Sequence, residues 1–256
     1  MPLRQREKVQ ILPWTGSGMS RTRHYFTDRG GGVSQGIYES LNLRLHCDDD
    51  PERVRENYRL LADRIGCSRF VLGNQEHTDN ILHVDGSFAK RDVYDPVAYV
   101  ADGLITHEPE LALVVFTADC VPVLLQGPGV VAAVHAGWRG TAKGIAAKAV
   151  REMDCDPEKV QAWIGPSIGL CCYEVGDEVR EAMRSLLGMD AEPFFQERRI
   201  DLKGLNRRQL ELVGVRRIDV SPTCTCCNHT QYWSHRYTSG LRGTQAGVII
   251  LGKDEG

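Results

Sequence analysis

Three side chains of the types that bind metals, one cysteine and two histidines, stand at the ends of apolar runs in the sequence. The run LALVVFTADC ends in Asp119 and Cys120, the run VVAAV is followed directly by His135, and FVLGNQEH ends in His77. Cys and His are the ligands that Zn²⁺ prefers, and two imidazoles with one thiolate leave a fourth position for water. By spacing alone, a zinc site of His77, Cys120 and His135 and three ordinary partly buried residues are equal alternatives.

A glycine-rich segment, AGWRGTAKG, follows His135 and suggests an anion site. Gly137 and Gly140 permit close backbone approach, and the pattern predicts a helix over Thr141–Met153. Helix N-termini hold anions through unpaired N–H groups, and Arg139 would add a charged, forked donor. We therefore expect a phosphate pocket beside the metal site, with an ordinary glycine-rich turn and a solvated Arg139 as the alternative.

The nine cysteines are more typical of a reduced protein than of a disulfide framework. Their number is odd, and the pairs Cys171–Cys172 and Cys226–Cys227 are adjacent in sequence, so metal-binding or reactive thiols fit better. The motif CTCC at Cys224–Cys227, with His229 and His235 downstream, could suggest a second metal site. Its spacing is cramped for one tetrahedral ion, so we expect these cysteines to be structural.

Strand-like and helix-like segments alternate loosely along the chain, which predicts an α/β (α+β) fold with a mixed β-sheet core flanked by helices. We expect one domain over residues 1–256. The first predicted helix begins after Asp48–Asp50 and ends at Gly66. Three further helices are predicted over Thr141–Met153, Val175–Leu187 and Leu202–Val213. The predicted strands are Phe70–Leu72, Ile81–Val84, Leu111–Phe116, Val121–Leu125, Val130–Val134, Ala162–Ile164 and Val248–Leu251.

The composition indicates a globular protein without nucleic acid or membrane partners. The 256 residues are 42% hydrophobic and 25% charged, which argues against a disordered, fibrous or coiled-coil protein. A net charge of −3 gives no general attraction to nucleic acids or anionic lipids, and no apolar run approaches the roughly 18 residues of a membrane helix. The N-terminal segment MPLRQREKVQILPW is too charged for a signal peptide, so we expect a cytoplasmic protein.

Taken together, the motifs resemble those of the laccase-domain or polyphenol-oxidase (YfiH-like) family of purine nucleoside phosphorylases. The resemblance covers nearly the whole chain, and TADC followed by VHAGWRGT is its specific part. The matching segments, in order, are RGGGVSQGIYESLNL (29–43), NQEH (74–77), DGLIT (102–106), TADCVPVLL (117–125), AAVHAGWRGT (132–141), IGPSIGLCCYEVG (164–176), DL (201–202) and CTCC (224–227).

The resemblance implies a Zn²⁺ site made of His77, Cys120 and His135, the same residues that the strand-end argument selects. It also implies phosphorolysis of adenosine, inosine, guanosine and S-methyl-5′-thioadenosine, together with hydrolytic deamination of adenosine, so purine nucleosides and phosphate are the expected partners. One departure from the family pattern is the pair Glu76 and Thr78 around His77, where the family usually reads NQVHG.

Within the matching segments we expect Cys120 and Arg139 to be catalytic, with Arg139 holding phosphate. Strand alternation argues against both Asp119 and Glu76 as the proton carrier of deamination, so the general acid or base is left unassigned. Several other residues of the motifs could line the substrate pocket. They are Arg29, Ser34, Asn42, Asn74, Tyr173, Arg236 and Arg242.

Other functions stay open on the sequence alone. A copper-dependent polyphenol oxidase (laccase) is disfavoured because the eight histidines include no His-x-His pair, although Cu²⁺ could occupy a His₂Cys site. A cysteine hydrolase would use Cys120 as nucleophile and His135 as base, and would survive chelation. A cysteine or zinc hydrolase that edits peptidoglycan precursors, and a zinc-stabilised binding module, are the further alternatives.

Overall fold

The computed structural model describes residues 22–253 in full and, in addition, the backbone alone of residues 11–13. Most of the N-terminal segment that argued against a signal peptide, MPLRQREKVQILPW, lies outside these described residues. Among the helices that are described, none combines the length and the apolar character that crossing a membrane requires.

Two mixed β-sheets form the centre of the fold. One has five strands in the order β1-β2-β13-β6-β3, the other has six in the order β12-β9-β7-β8-β5-β4, and β10 pairs only with β11. The strands are β1 (Ile11–Pro13), β2 (Arg23–Thr27), β3 (Phe70–Leu72), β4 (Ile81–His83), β5 (Gly103–Thr106), β6 (Ala112–Thr117), β7 (Val121–Gly127), β8 (Val130–Ala136), β9 (Gln161–Ile164), β10 (Phe195–Gln196), β11 (Arg199–Ile200), β12 (Arg217–Val220) and β13 (Gln245–Ile250).

Helices cover the outer faces of both sheets. They are α1 (Pro51–Ile65), α2 (Trp138–Ala142), α3 (Ile145–Glu152), α4 (Asp177–Leu187) and α5 (Leu202–Leu212), and the short α6 (His235–Thr238) lies in the segment before β13. One apolar cluster joins α1 to the five-stranded sheet, a second fills the space between the two sheets, and a third joins the six-stranded sheet to α3, α4 and α5. The resulting layers are helix, sheet, sheet and helices, and the expected mixed α/β class is confirmed.

Local signals in the sequence explain where α1 begins and ends. The Asp50 side chain accepts a hydrogen bond from the Glu52 backbone N–H, Pro51 occupies the first turn, and Gly66 ends the helix in the left-handed region with φ 67°. These are an N-cap that satisfies a free donor and a C-terminal residue that adopts positive φ without strain. The helix predicted from this pattern is confirmed.

The helix expected over Thr141–Met153 is wrong in its boundaries. The chain instead forms the five-residue α2, and α3 starts only after Gly144, which adopts φ 75°. A left-handed residue cannot continue a right-handed helix, so Gly144 separates the two. The anion site expected at a helix start near Thr141 is therefore not formed by a long helix, and Arg139 itself lies inside α2.

The core expected as one sheet is divided into two at the turn between β6 and β7. Strand β6 belongs to the five-stranded sheet and β7 to the six-stranded one. Residues Ala118–Cys120 connect them, and Asp119 in this turn has φ 93°. The TADC segment is therefore the point at which the chain passes from one sheet to the other.

Candidate metal centre

The structure brings His77, Cys120 and His135 together, although 58 positions separate the outer two in sequence. Their ligand atoms all lie within 4.8 Å of one another, and Cys120 Sγ is 3.8 Å from His77 Nε2. Cys120 ends the turn between the sheets, and His135 lies in β8 opposite Pro122 of β7. This donor set could bind a metal ion.

His77 reaches the group from a loop rather than from the end of a strand. The strand β3 ends at Leu72, four residues before Glu76. The Gln75 side-chain amide then bonds to both backbone groups of Phe116, donating to its carbonyl at 2.8 Å and accepting from its N–H at 2.7 Å. This pairing anchors the NQEH loop on β6, and His77 follows with φ 59°. The alternation argument about Glu76 therefore does not apply, because no strand runs through it.

A buried carboxylate, Asp102, orients both histidine segments. Its Oδ1 lies 2.7 Å from His135 Nδ1 and accepts the His77 backbone N–H at 3.1 Å. Its Oδ2 accepts the Thr78 N–H and hydroxyl, each at 2.7 Å. Because Nδ1 of His135 is engaged with this carboxylate, Nε2 is the ring nitrogen left for a metal. Sequence reasoning missed Asp102, and its signal was the DGLIT motif, which begins with this residue.

The surroundings stabilise charge on Asp102. Burial opposes ionisation of this carboxyl, but the hydrogen bonds from His135 and Thr78 outweigh that effect and lower its pKa to about 2. The carboxylate is therefore ionised throughout the physiological range, and Thr78, the departure from the family's usual glycine, is one of its donors.

Near neutral pH, the surroundings of Cys120 and His135 favour the thiolate of the one and the charged imidazole of the other. Burial disfavours the Cys120 thiolate, but the charge of His135 and hydrogen bonds from both histidines lower the thiol's pKa to about 6. Burial likewise disfavours charge on His135, but the Cys120 thiolate and Asp102 raise its pKa to about 9. A thiolate is the form of cysteine that binds metals, so Cys120 is prepared for this role near neutral pH.

Two clefts meet at His77 and Cys120 of the candidate metal group. The larger has a volume of about 590 Å³ and is lined by Asn74, Tyr94 and Phe116 besides the three ligands. The smaller has a volume of about 320 Å³ and contains Tyr173, and both His77 and Cys120 face it. A substrate in one cleft and a co-substrate in the other would therefore approach the same centre.

Three arginines line the smaller cleft, namely Arg139, Arg236 and Arg242. The Arg139 guanidinium lies 4.3 Å from the Trp138 ring centroid. Arg236 donates to the carbonyls of Cys172 and Glu174 at 2.9 and 2.8 Å, which fixes its direction. Burial, followed by the nearby charge of Arg44, lowers the pKa of Arg242.

The carboxylate of Asp119 is held by the segment that carries Arg236. Its Oδ1 accepts the Thr225 hydroxyl at 2.6 Å, and its Oδ2 accepts the Ser234 hydroxyl at 3.0 Å and the Arg236 N–H at 2.6 Å. Asp119 therefore positions a wall of the smaller cleft. Glu76 accepts a hydrogen bond from the Asn74 side chain at 2.9 Å and is exposed.

The other expected substrate-binding residues divide into two groups. Asn74, Tyr173, Arg236 and Arg242 line the clefts. The described linings of both clefts do not include Arg29, Ser34 or Asn42. Arg29 donates to the carbonyls of Glu39 and His229, and the buried Ser34 and Asn42 both bond to Asn57. Arg44, which sequence reasoning missed, lines the larger cleft.

Comparison with known proteins shows the family. The profile described as "Multi-copper polyphenol oxidoreductase laccase" matches residues 23–252. A purine nucleoside phosphorylase of Corynebacterium glutamicum is 37% identical over 240 residues, covering 91% of this chain and 95% of that protein. A purine nucleoside phosphorylase of Deinococcus radiodurans is 37% identical over 242 residues, covering 91% and 90%.

Solved structures show the same fold. YlmD from Geobacillus stearothermophilus superposes with a TM-score of 0.89 at 35% identity, covering 97% of this chain and 98% of that one. The hypothetical protein YfiH of Bacillus licheniformis superposes with a TM-score of 0.86 at 35% identity, covering 90% and 93%. With the profile matching nearly all of the described residues, the chain belongs to the laccase-like, YfiH family.

Proposed function

We propose that the chain is a zinc-dependent purine nucleoside phosphorylase that acts on adenosine, inosine, guanosine and S-methyl-5′-thioadenosine, and that it also deaminates adenosine. The observation that carries this proposal is the meeting of two clefts at His77 and Cys120, with His135 lining the larger cleft and three arginines lining the smaller one. The names of the relatives support the purine nucleoside phosphorylase part of this proposal.

Phosphate fits the smaller cleft because the cleft offers several cationic side chains that can balance the negative charge of phosphate. Arg236 and Arg242 supply two of them, and Arg139 supplies a third from α2. Arg242 lines both clefts, and its buried Nε has no hydrogen-bond partner among the described residues. Arginine binds phosphate oxygens through a planar fork, which also fixes the orientation of the attacking oxygen.

The purine nucleoside fits the larger cleft, where Tyr94 and Phe116 offer flat apolar surface and Asn74 offers an amide. In phosphorolysis a phosphate oxygen forms a bond to the anomeric carbon while the bond from that carbon to the purine nitrogen breaks. The electron pair of the broken bond leaves with the purine. The residues of the two clefts thus orient the nucleophile and the leaving group on opposite sides of one carbon.

The donor set favours Zn²⁺, with Cu²⁺ as a competitor. His77 and His135 would bind through imidazole nitrogens and Cys120 through its thiolate, which are ligands common to both ions. The bound ion would supply Lewis-acid stabilisation of developing negative charge. For deamination, the same pocket would accept adenosine with water in place of phosphate. The water oxygen would form a bond to C6 while the bond from C6 to the amino nitrogen breaks, and a proton from the water would leave with the amino group as ammonia.

Product analysis of adenosine, with and without phosphate, tests this proposal. Adenine and ribose 1-phosphate should appear only with phosphate, and inosine should appear in both reactions. Cys120→Ala should abolish both phosphorolysis and deamination, whereas Cys155→Ala, which changes a cysteine outside the site, should preserve both activities. Adenosine unchanged in a protein that holds stoichiometric zinc would exclude the nucleoside activity.

A thiol hydrolase is a second candidate, because Cys120, His135 and Asp102 also have the arrangement of nucleophile, base and orienting acid. The Asp102 contact to His135 at 2.7 Å is the observation that favours it. Its substrate class would be an amide or a peptide-type bond, as in peptidoglycan precursors. Complete metal removal separates the two candidates: a thiol hydrolase would keep its activity, and the phosphorylase proposed here would lose it.

A further inference from the structure

Four cysteines from two distant segments converge outside the candidate active site. The Sγ atoms of Cys171, Cys172, Cys224 and Cys227 all lie within 4.8 Å of one another. Cys227 Sγ is 3.4 Å from Cys171 Sγ and 3.4 Å from Cys172 Sγ. A tetrahedral ion with Zn–S bonds of about 2.3 Å places its sulfur ligands about 3.8 Å apart, so this convergence has the dimensions of a four-thiolate site.

The ligand pattern is that of a structural zinc site once the tertiary contact is known. Cys224 and Cys227 have the C-x₂-C spacing that commonly provides two ligands. The CTCC motif by itself lacked the other two, which come from the turn at Cys171 and Cys172. His229 is not part of the converging group: its Nδ1 lies 3.2 Å from the Cys226 carbonyl oxygen, and its ring stacks on Tyr237 with centroids 3.4 Å apart.

Groups around the sulfurs would stabilise the negative charge of four thiolates. The Gly169 backbone N–H donates to Cys224 Sγ at 3.2 Å, a contact that orients a thiolate ligand. The buried Lys203 side chain lies beside Cys224 and Cys171, and its ammonium is fixed by the carbonyls of Ser221 and Thr223. Four thiolates and a divalent cation carry a net charge of −2, and Lys203 offsets part of it.

A disulfide accounts less well for the same geometry. Cys227 is equally distant from Cys171 and Cys172, at 3.4 Å in each case. A bond of about 2.05 Å would have to select one of them and would leave two further thiols clustered without a function. A single metal ion uses all four sulfurs.

We propose that Cys171, Cys172, Cys224 and Cys227 form a second metal site that binds Zn²⁺ and has a structural role. The site would join two segments that shape the smaller cleft. Tyr173 follows Cys172 directly, and Arg236 donates to the Cys172 carbonyl at 2.9 Å. Thr225, next to Cys224, holds Asp119 at 2.6 Å. The second site does not depend on which reaction the first site performs.

The zinc content of the purified full-length chain tests the proposal. Wild-type protein should hold two zinc ions per chain, and both Cys120→Ala and the double variant Cys224→Ser/Cys227→Ser should hold one. Cys226→Ser is the matched control, since it changes the one cysteine of CTCC outside the group, and it should hold two. A wild-type content of one ion that the double variant retains would overturn the proposal.

Cobalt spectroscopy keeps the proposal testable if the double variant fails to fold. Among the described residues, Co²⁺ added to metal-free Cys120→Ala protein can meet several clustered thiolates only at the second site, because the first site has lost its sulfur and the remaining cysteines are not part of either group. One equivalent should produce the intense thiolate-to-cobalt charge-transfer bands and the visible bands of a tetrahedral site. A weak octahedral spectrum would overturn the proposal, as would a purified chain whose mass is lower by two hydrogen atoms and whose disulfide maps to these cysteines.

Discussion

The group His77–Cys120–His135 and the four-cysteine group differ in what holds their ligands in place. The first lies where the two sheets meet, with His135 in the buried strand β8 and Asp102 fully buried behind it. The second lies on turns, and Cys171 and Cys227 are exposed. One group is supported by the core of the molecule, and the other is a link between two of its loops.

The two groups also differ in ligand number, and this difference indicates their roles. Three protein ligands leave a position open for a substrate or water, which is the usual arrangement of catalytic zinc. Four thiolates complete a tetrahedron and exclude substrate, which is the usual arrangement of structural zinc. Clefts of about 590 and 320 Å³ open onto the three-ligand group. Reactivity is therefore expected at the first group and stabilisation of the fold at the second.

The largest effect that separates the groups is expected for Cys120→Ala. Loss of this ligand should lower the rate of adenosine phosphorolysis at least about a hundredfold, because several kcal/mol of charge stabilisation are removed. The melting temperature should change little. Initial rates at saturating phosphate, with thermal unfolding in parallel, provide the measurement. Retained activity would show that the three-ligand group is not the catalytic one.

Asp102→Asn should weaken metal binding at the first group and leave the second unaffected. Loss of a carboxylate that orients a histidine ligand typically lowers metal affinity about 10–100-fold. Competition with a chelator measures the affinity of each site, and excess zinc should restore activity in proportion to occupancy. Equal affinities in the variant and the wild type would mean that Asp102 does not position the ligands.

Alkylation of the metal-free protein should distinguish the sulfur atoms by their pKa values. The pKa of Cys120 is lowered to about 6, whereas burial and the neighbouring Cys227 raise the pKa of Cys171. A lowered pKa means more thiolate at neutral pH, so iodoacetamide at pH 7 should modify Cys120 at least about tenfold faster than Cys171. The Cys120 rate should fall only below about pH 6.

Peptide mass mapping at several pH values measures these rates. Added zinc should protect Cys120, and Cys120→Ala protein identifies its peptide. Faster modification of Cys171 than of Cys120 at pH 7 would contradict the pKa difference between these two thiols.

A pair of glycine substitutions should give the smallest effects and compares the space at each group. A Cβ at Gly137 would lie 2.7 Å from His77 Cδ2 and 3.2 Å from Cys120 Sγ, so the ligands must move. A Cβ at Gly169 would meet Cys224 Cβ at 3.2 Å and Cys171 Sγ at 3.3 Å, where small adjustments suffice. Gly137→Ala should therefore reduce activity several-fold, and Gly169→Ala should leave activity unchanged.

Zinc content and phosphorolysis rates of both glycine variants provide the measurement. Gly137 has φ −66°, so an alanine there adds no backbone strain and any loss reports on the ligands. Wild-type activity in Gly137→Ala would show that the three-ligand group can accommodate an added methyl group without loss of its geometry.

Elements with strong local signals could be predicted from the sequence. The capped helix α1, the helices α4 and α5, and the apolar strands β6, β7 and β8 lie where periodicity and capping residues indicated, within a few positions. In contrast, the pattern did not predict β2 or β12. The short segment Arg217–Val220 carries charged residues, and it is a strand because it pairs with β9. Pairing of this kind is a tertiary interaction that local propensity does not report.

The sequence by itself determined the fold class and the family resemblance, and it singled out His77, Cys120 and His135 as candidate ligands, because each of these is carried by short motifs and by the order of apolar runs. Only the tertiary structure decided that Asp102 supports both histidine segments and that Cys171 and Cys172 meet Cys224 and Cys227. The physical reason is that these contacts join segments about 25 to 55 positions apart, and their partners are chosen by how the sheets and loops pack.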